Sequence, residues 1–513
     1  MDLITGCVSL LPVLIAVGLS LYTKRALFSL FCGVLCGSLL LVHNPFQAIL
    51  YLVDPLLLDS LADKDALKVI FFSLFVSATV EIMRVGEGTQ AVVNIFSSFA
   101  NTRRKALIGS WLAGLLVFFD DYANCLIVGS TMRPITDKMR ISREKLAYIV
   151  DSTAAPVATL AIISTWVGYE VSLIDETLQK IPLDLKLSMG IEHHSAYAIF
   201  LDGIGYRFYP ILALIFGFIL AISTRDFGPM LTAEQEMQQR NQTKSATETG
   251  NLWLGVIPIT LLIGVAMWDL YTQGTTKNPS AQSISDIISS ADGYDAMLHA
   301  SIAALVSAYV LSVLYKISTT KISQAIHQST ERILEAISIL ILAWSIGTVM
   351  DGLGSATFLV QVLDGVLLVQ WLPTVLFVVS AGIAFATGTS FGTMGTIIPL
   401  AIPLAMQSGA NYEILLASIA SVLSGATWGD HCSPISDTTV LSSVGADCDH
   451  AKHVETQLPY ALVSGLISIL CCSIPVGFGL PWYLCVIVAT VVSAIVIWIV
   501  GKPISTPDIT DTH

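Results

Sequence analysis

Charge is what this chain lacks. Asp, Glu, Lys and Arg make up only 12% of its 513 residues, about half the share of a soluble domain. That shortage excludes a water-soluble globular enzyme and a disordered chain. The 25 Lys and Arg against 38 Asp and Glu leave a formal net charge of -13, so no nucleic-acid partner is expected. Cysteine is sparse, odd in number at nine, and mostly set in apolar runs, which excludes a disulfide framework. No His-Glu-x-x-His pattern and no serine–lysine dyad stands out, so an enzyme is not expected. The first apolar run lacks a basic segment before it, since Asp2 precedes it. It reads as a retained span and not as a signal peptide.

What the chain has is apolar length. Hydrophobic residues reach 54% and mean hydropathy is +0.74. Runs at 4–22, 26–43, 67–85, 146–168, 206–223, 252–271, 296–315, 331–350, 412–444, 457–479 and 481–500 are candidate transmembrane helices. Two more stretches, 106–136 and 366–408, are interrupted midway by polar residues and glycine. With the N-terminus outside, every Lys and Arg except Lys64, Lys68, Lys180, Lys186, Arg207 and Lys277 falls inside, as the positive-inside rule requires. The C-terminus is then cytoplasmic. Basic residues flank 106–136 on both sides, so it enters and returns from inside. By crossing order, 366–408 does so from outside. The expected fold is an all-α polytopic membrane protein of about eleven transmembrane helices plus two re-entrant hairpins.

The two halves correspond weakly. Asp120-Asp121 pairs with Thr389-Ser390 at a spacing of 269, as do Pro134 with Pro403 and Glu144 with Glu413; Pro156 and Pro434 follow at 278. Opposite orientation and matched order predict an inverted repeat. Its first copy is 1–228, with the inner hairpin and a broken helix at 146–168. A cytoplasmic linker occupies 229–251. The second copy is 252–480, with the outer hairpin and a broken helix at 412–444; an extra helix and tail fill 481–513. Inverted repeats with broken helices mark secondary transporters whose site lies near the midplane.

Four polar interruptions fall at membrane depth, where a carboxylate is costly and persists for function. The first places Asp120, Asp121 and Asn124 at the inner hairpin tip. The second, Asp151-Ser152-Thr153-Ala154-Ala155-Pro156, combines a carboxylate, two hydroxyls and a proline that frees a backbone carbonyl. The third sets Thr387, Thr389 and Ser390 between glycines at the outer tip. The fourth, Gly429-Asp430-His431-Cys432-Ser433-Pro434-Ile435-Ser436-Asp437, carries two carboxylates and an imidazole. Adjacent residues seldom chelate one metal together, and no Cys-x-x-Cys partners this run, so a cation-and-proton site fits it better than zinc. Hydroxyl and carboxylate oxygens suit sodium, at a subset of Asp121, Asn124, Asp151, Thr389 and Asp430, and a proton competes for the same oxygens. The pairs His193-His194 and His450-x-x-His453 read as surface histidines, and Glu81 with Arg84 as a structural ion pair.

Phe119-Asp120-Asp121-Tyr122-Ala123-Asn124, the Asp151–Pro156 segment and above all Gly429–Thr439 resemble the NhaC family of bacterial sodium/proton antiporters. The resemblance implies the ion transporter superfamily fold, Na+ and H+ as cargo without a cofactor, and a place in the bacterial inner (cell) membrane. The family is also similar to exchangers of small organic acids or amino acids. The expected activity is sodium/proton antiport by alternating access, the alternative a sodium- or proton-coupled organic-acid or amino-acid exchanger. Expected partners are the lipid bilayer, a small ion or organic solute, and a second copy in a homodimer.

Overall fold

The computed structural model describes residues 3–23, 25–62, 64–88, 91, 102–191, 194–238, 251–277, 279, 287, 291–355, 358, 368–434 and 436–504. Within them the chain is helical almost throughout; the only sheet among the described residues is Arg225–Asp226 paired with Lys502–Pro503. Helix is the expected outcome where no water reaches the backbone, because each N–H then bonds within its own segment. Large apolar side chains face outward along whole helices, among them Leu314, Leu470, Trp498 and Ile499. An outward apolar belt of this extent fits lipid and not water. Small residues fill the contacts between helices, as membrane packing favours.

Among the described residues, six helices are long and apolar enough to cross a membrane: Ala66–Val85, Trp253–Lys277, Tyr294–Leu314, Ser390–Gln407, His450–Gly477 and Trp482–Val500. Two bent pairs join them in that test. Leu27–Val42 turns by 119° into Pro45–Leu58, and Arg143–Leu160 turns by 44° into Thr165–Gln179. Several expected spans have different bounds. The first run is divided into Leu3–Ser9 and Leu11–Thr23, and 331–350 is the later part of one helix, Thr319–Gly352. Part of the expected linker is folded: Gly228–Gln238 is a helix that buries Met230 and Glu234, while 239–250 lie outside the described residues.

Two helical hairpins stand out. Arg103–Leu116 connects through Val117–Asp120 to Asp121–Lys138, and Leu372–Thr387 through Gly388-Thr389 to Ser390–Gln407. Each is followed by an interrupted helix. Arg143–Thr153 stops at Ala154, resumes as Ala155–Leu160 with Pro156 in its first turn, and stops again before Thr165–Gln179. Proline suits a first turn because its missing N–H would be unpaired there anyway. In the other half, Tyr412–Cys432 ends before Ser433–Ser436, and Asp437–Ala446 follows.

Helix starts keep the 269 spacing found in the sequence. The Ser142 hydroxyl accepts from the Lys145 amide and the Asn411 side chain from the Ile414 amide. The proline pairing at 278 joins Pro156, just after the break at Ala154, to Pro434 in the break before Asp437. The helices Thr165–Gln179 and Asp437–Ala446 are preceded by Ser164 and Ser436, which are 272 apart. At that 272 spacing the break at Ala154 has no counterpart, since Tyr412–Cys432 runs unbroken through the matching position.

Packing is crosswise. Asp121–Lys138 lies against Asp437–Ala446, and Ser390–Gln407 lies against Thr165–Gln179. Each hairpin's second leg therefore rests on the far segment of the other half's broken helix. Gly129 and Gly445 permit the first contact, since a Cβ on Gly445 would stand 2.3 Å from the Cys125 carbonyl oxygen. Gly114 does the same for the hairpin against Thr153, whose Oγ1 would be 2.0 Å from an added Cβ.

Candidate functional site

The breaks gather polar side chains, and one indole, Trp166, reaches both hairpin tips. At the first tip Asp120 holds the cap position, its carbonyl accepting from the Asn124 amide, and Asp121 opens the helix. Asp121 is buried, and Trp166 of Thr165–Gln179 stands beside its carboxylate. The same indole packs edge-on against Phe391 at 5.2 Å between centroids. Phe391 belongs to the second tip, where Tyr169 stacks on it at 4.4 Å and donates to its carbonyl at 2.5 Å. Trp166 thus touches both tips. Nothing in the sequence marks it for this place, because an indole in an apolar run looks like core.

Asp430, in the last turn of Tyr412–Cys432, is buried beside Ser436 and within electrostatic reach of Asp121, Asp151 and Asp437. Asp437 is exposed and accepts from the Tyr122 hydroxyl at 3.1 Å. Ser433 is fully buried in the break. Four of the five predicted carboxylates therefore share one electrostatic neighbourhood, and Asp120 adjoins Asp121 in it. Among the described residues, no group of three His, Cys, Asp or Glu side chains is close enough to hold a metal ion. A cation held here would need hydroxyl and carbonyl oxygens beside a carboxylate, the hard donor set such ions take.

Other predicted residues have visible structural duties. The Asn124 amide donates to the carbonyls of Gly114 at 2.7 Å, Thr153 at 2.9 Å and Val117 at 3.1 Å. It ties both hairpin legs to the helix break and leaves Oδ1 buried without a partner. Ser152 and Thr153 donate back to the Ile149 carbonyl at 3.0 and 2.9 Å. Thr389 caps its helix by accepting from the Gly392 amide, and Ser390 is buried beside it. The Thr387 side chain lies outside the described residues.

Asp151 sits in a denser network than its motif suggests. Its Oδ2 accepts from Gln457 at 2.7 Å, with His453 Nε2 at 3.4 Å and His431 Nε2 at 3.9 Å. Gln457 also donates to the His431 carbonyl at 2.5 Å, and the Tyr209 hydroxyl meets His431 Nδ1 at the same distance. His453 is not a surface histidine: it is 0% exposed, within helix His450–Ile467. It looked superficial because its neighbours in sequence are polar, yet it faces inward one turn before Gln457. His450 accords with a rim position, contacting Ser443 and the Pro434 carbonyl. His194 is half-buried against the Tyr412 ring; His193 lies outside the described residues.

Buried ion pairs hold the frame. Arg207 is 1% exposed; it donates to Glu170 at 2.7 Å and to Thr159 Oγ1 at 2.8 Å. The pair supports the second interruption, Ala161–Ser164, where Tyr197 donates to the Ile162 carbonyl at 2.6 Å. That interruption carries no polar motif and so gave no sequence signal. On the other side Lys145 pairs with Asp226, which also accepts from Tyr460 at 2.7 Å, and Arg103 pairs with Glu234. Glu81 and Arg84 form the ion pair expected of them.

Such a fold, helical, lipid-facing and with polar breaks gathered inside, defines a multi-pass membrane transporter. The sequence profile of the Na+/H+ antiporter family matches residues 157–474, and the chain belongs to that family. An uncharacterized protein of Haemophilus influenzae is 32% identical over 471 residues, 88% of either chain. The malate-2H(+)/Na(+)-lactate antiporter of Bacillus subtilis is 37% identical over 101 residues, which is 18% of this chain and 19% of that one. Among solved structures, the YdaH transporter of Alcanivorax borkumensis shares the fold at a TM-score of 0.58 and 15% identity, covering 85% of this chain and 90% of that one.

Proposed function

We propose that the protein is a sodium/proton antiporter of the bacterial inner membrane, working by alternating access around a midplane site. The observation that carries this reading is the meeting of both hairpin tips at Trp166, beside buried Asp121 and the Asp430 break. Asp120, Asp121, Asp151, Asp430 and Asp437 supply the charge, and Ser433, Thr389, Asn124 and freed carbonyls supply neutral oxygens. A sodium ion and a proton compete for this set. No further cofactor is needed, because both ions are cargo.

The halves 1–228 and 252–480 act as inverted repeats with re-entrant hairpins. The N-terminus lies outside and the C-terminus in the cytoplasm. Crosswise packing of each hairpin on the other half's broken helix supports this arrangement, and the protein works as a homodimer. The similarity to the malate/lactate antiporter favours one second reading, exchange of a small organic acid or amino acid coupled to these ions.

Purified protein in proteoliposomes under an imposed pH gradient separates the two. Dissipation by sodium alone is the expected result. Dissipation only when malate, lactate or an amino acid is added selects the second reading.

A further inference from the structure

Away from the carboxylates, a cavity of about 200 Å³ opens between the end of Thr165–Gln179, helix Thr319–Gly352 and the outer hairpin's second leg. Its volume corresponds to roughly six waters, the size of a small metabolite. Two opposite charges line it, Glu176 and Lys180, one helical turn apart at 2.8 Å. The Lys180 ammonium also donates to Thr348 Oγ1 at 2.9 Å. Both side chains are partly exposed, at 34% and 21%. A solvated pair of this kind is held weakly, so a ligand bearing both charges can replace it without leaving either buried and unpaired.

Apart from Thr177 and Gln407, the rest of the wall is apolar. Trp344 spends its indole N–H on Ser172 at 3.0 Å and lines the cavity with Met350, Pro399 and Pro403. Gly347 keeps the space open: a Cβ there would stand 3.3 Å from Pro399 and 3.6 Å from the Lys180 ammonium. The 272 spacing that relates the two breaks carries Lys180 onto Lys452. Lys452 lines a second cavity, of about 330 Å³, with Arg143, Glu144 and Asp449. Both cavities therefore present charges of both signs at the end of a helix that follows a break.

We propose that the Glu176–Lys180 cavity is a binding site for a zwitterionic amino acid with an apolar side chain. Lys180 takes the carboxylate, Glu176 takes the ammonium, and Trp344, Met350 and the prolines enclose the side chain. The proposal extends the transporter reading but does not depend on sodium/proton exchange.

Equilibrium binding of tritiated L-leucine to the purified full-length protein in nanodiscs tests it. Saturable binding is expected. 4-Methylpentanoate lacks the ammonium and 3-methylbutylamine lacks the carboxylate, and each should compete roughly tenfold or more worse than leucine. Glu176→Gln and Lys180→Gln should each weaken binding by a similar factor. Gly347→Ile, which fills the cavity and leaves both charges, should abolish it. Absence of saturable leucine binding, equal competition by either analogue, or wild-type binding in all three variants overturns the proposal. The analogue competition uses wild-type protein and decides the matter even where a variant misfolds. Sodium/proton exchange by the same preparation is read separately: its loss with leucine binding intact sinks the antiport reading alone, and the reverse sinks this site alone.

Discussion

A carboxylate inside a membrane carries a penalty of a few kcal/mol on insertion scales, so a protein that keeps several together has a use for their charge. Asp121 and Asp430 are buried near one another, and Asp151 lies within reach of Asp430. Asparagine preserves size and removes the charge. Asp121→Asn, Asp151→Asn and Asp430→Asn are each made and assayed in proteoliposomes. At least two should bring sodium-driven proton movement down to the level of empty liposomes while the protein still reaches the membrane. Asp54, exposed within the helical segment Leu52–Leu58, is the control, and Asp54→Asn should exchange normally. Wild-type rates and pH dependence in all three would mean the carboxylates are structural. Arg207 and Glu170 play the opposite part, as a fully buried pair with no exposure to exchange partners. Removing one charge strands the other, which costs about 3–5 kcal/mol. Glu170→Gln should therefore lower the thermal unfolding temperature sharply in detergent; an unchanged melting curve would show that Arg207 is not held by this contact.

Elements meet here through glycine. Gly129 and Gly445 let Asp121–Lys138 and Asp437–Ala446 touch backbone to backbone, and that contact brings Tyr122 to Asp437. A larger residue must push the helices apart, and overpacking of this kind costs about 1–3 kcal/mol. Gly445→Val should lower stability by that order and also weaken exchange, because it displaces Asp437 from the first tip. Full activity with a normal melting temperature would show that this approach is not needed. These contacts also explain what could be read in advance. Helical class and the polar tips were legible because a carboxylate or glycine cluster contrasts strongly with an apolar run. The 269 offset between helix starts was legible too, through Glu144 and Glu413, and Ser142 and Asn411 cap those helices. The interruption at Ala161–Ser164 was not, because its support comes from Tyr197 and from the Arg207–Glu170 pair some distance along the chain. His453 and Gln457 were missed for the same reason. Their partner, Asp151, is 306 residues from Gln457 in sequence, and polar neighbours disguised a buried helix face.

For the whole molecule the decisive quantity is orientation, since an inverted repeat puts the two hairpins at opposite faces. Basic residues surround the first hairpin, and the second has none nearby. Lys138 and Ser408 end the respective second legs and are both exposed, so single cysteines there are accessible without disturbing packing. Native Cys448 is a poor reporter. Burial, reinforced by Glu144 and Asp449, pushes its thiol up to about 12, so at neutral pH it stays protonated and reacts slowly, because the thiolate is the nucleophile. In a background without the native cysteines, Lys138→Cys should react with an impermeant maleimide only in inside-out vesicles. Ser408→Cys should react only in right-side-out vesicles. The crosswise packing gives this experiment its reach. If each second leg rests on the far segment of the opposite broken helix, opposite labelling of the two legs places the Ser164 and Ser436 breaks between the two faces, where a solute can be handed across. Labelling of both cysteines from one face would leave that contact in place but remove its inverted symmetry, and alternating access between two related cavities would have to be abandoned.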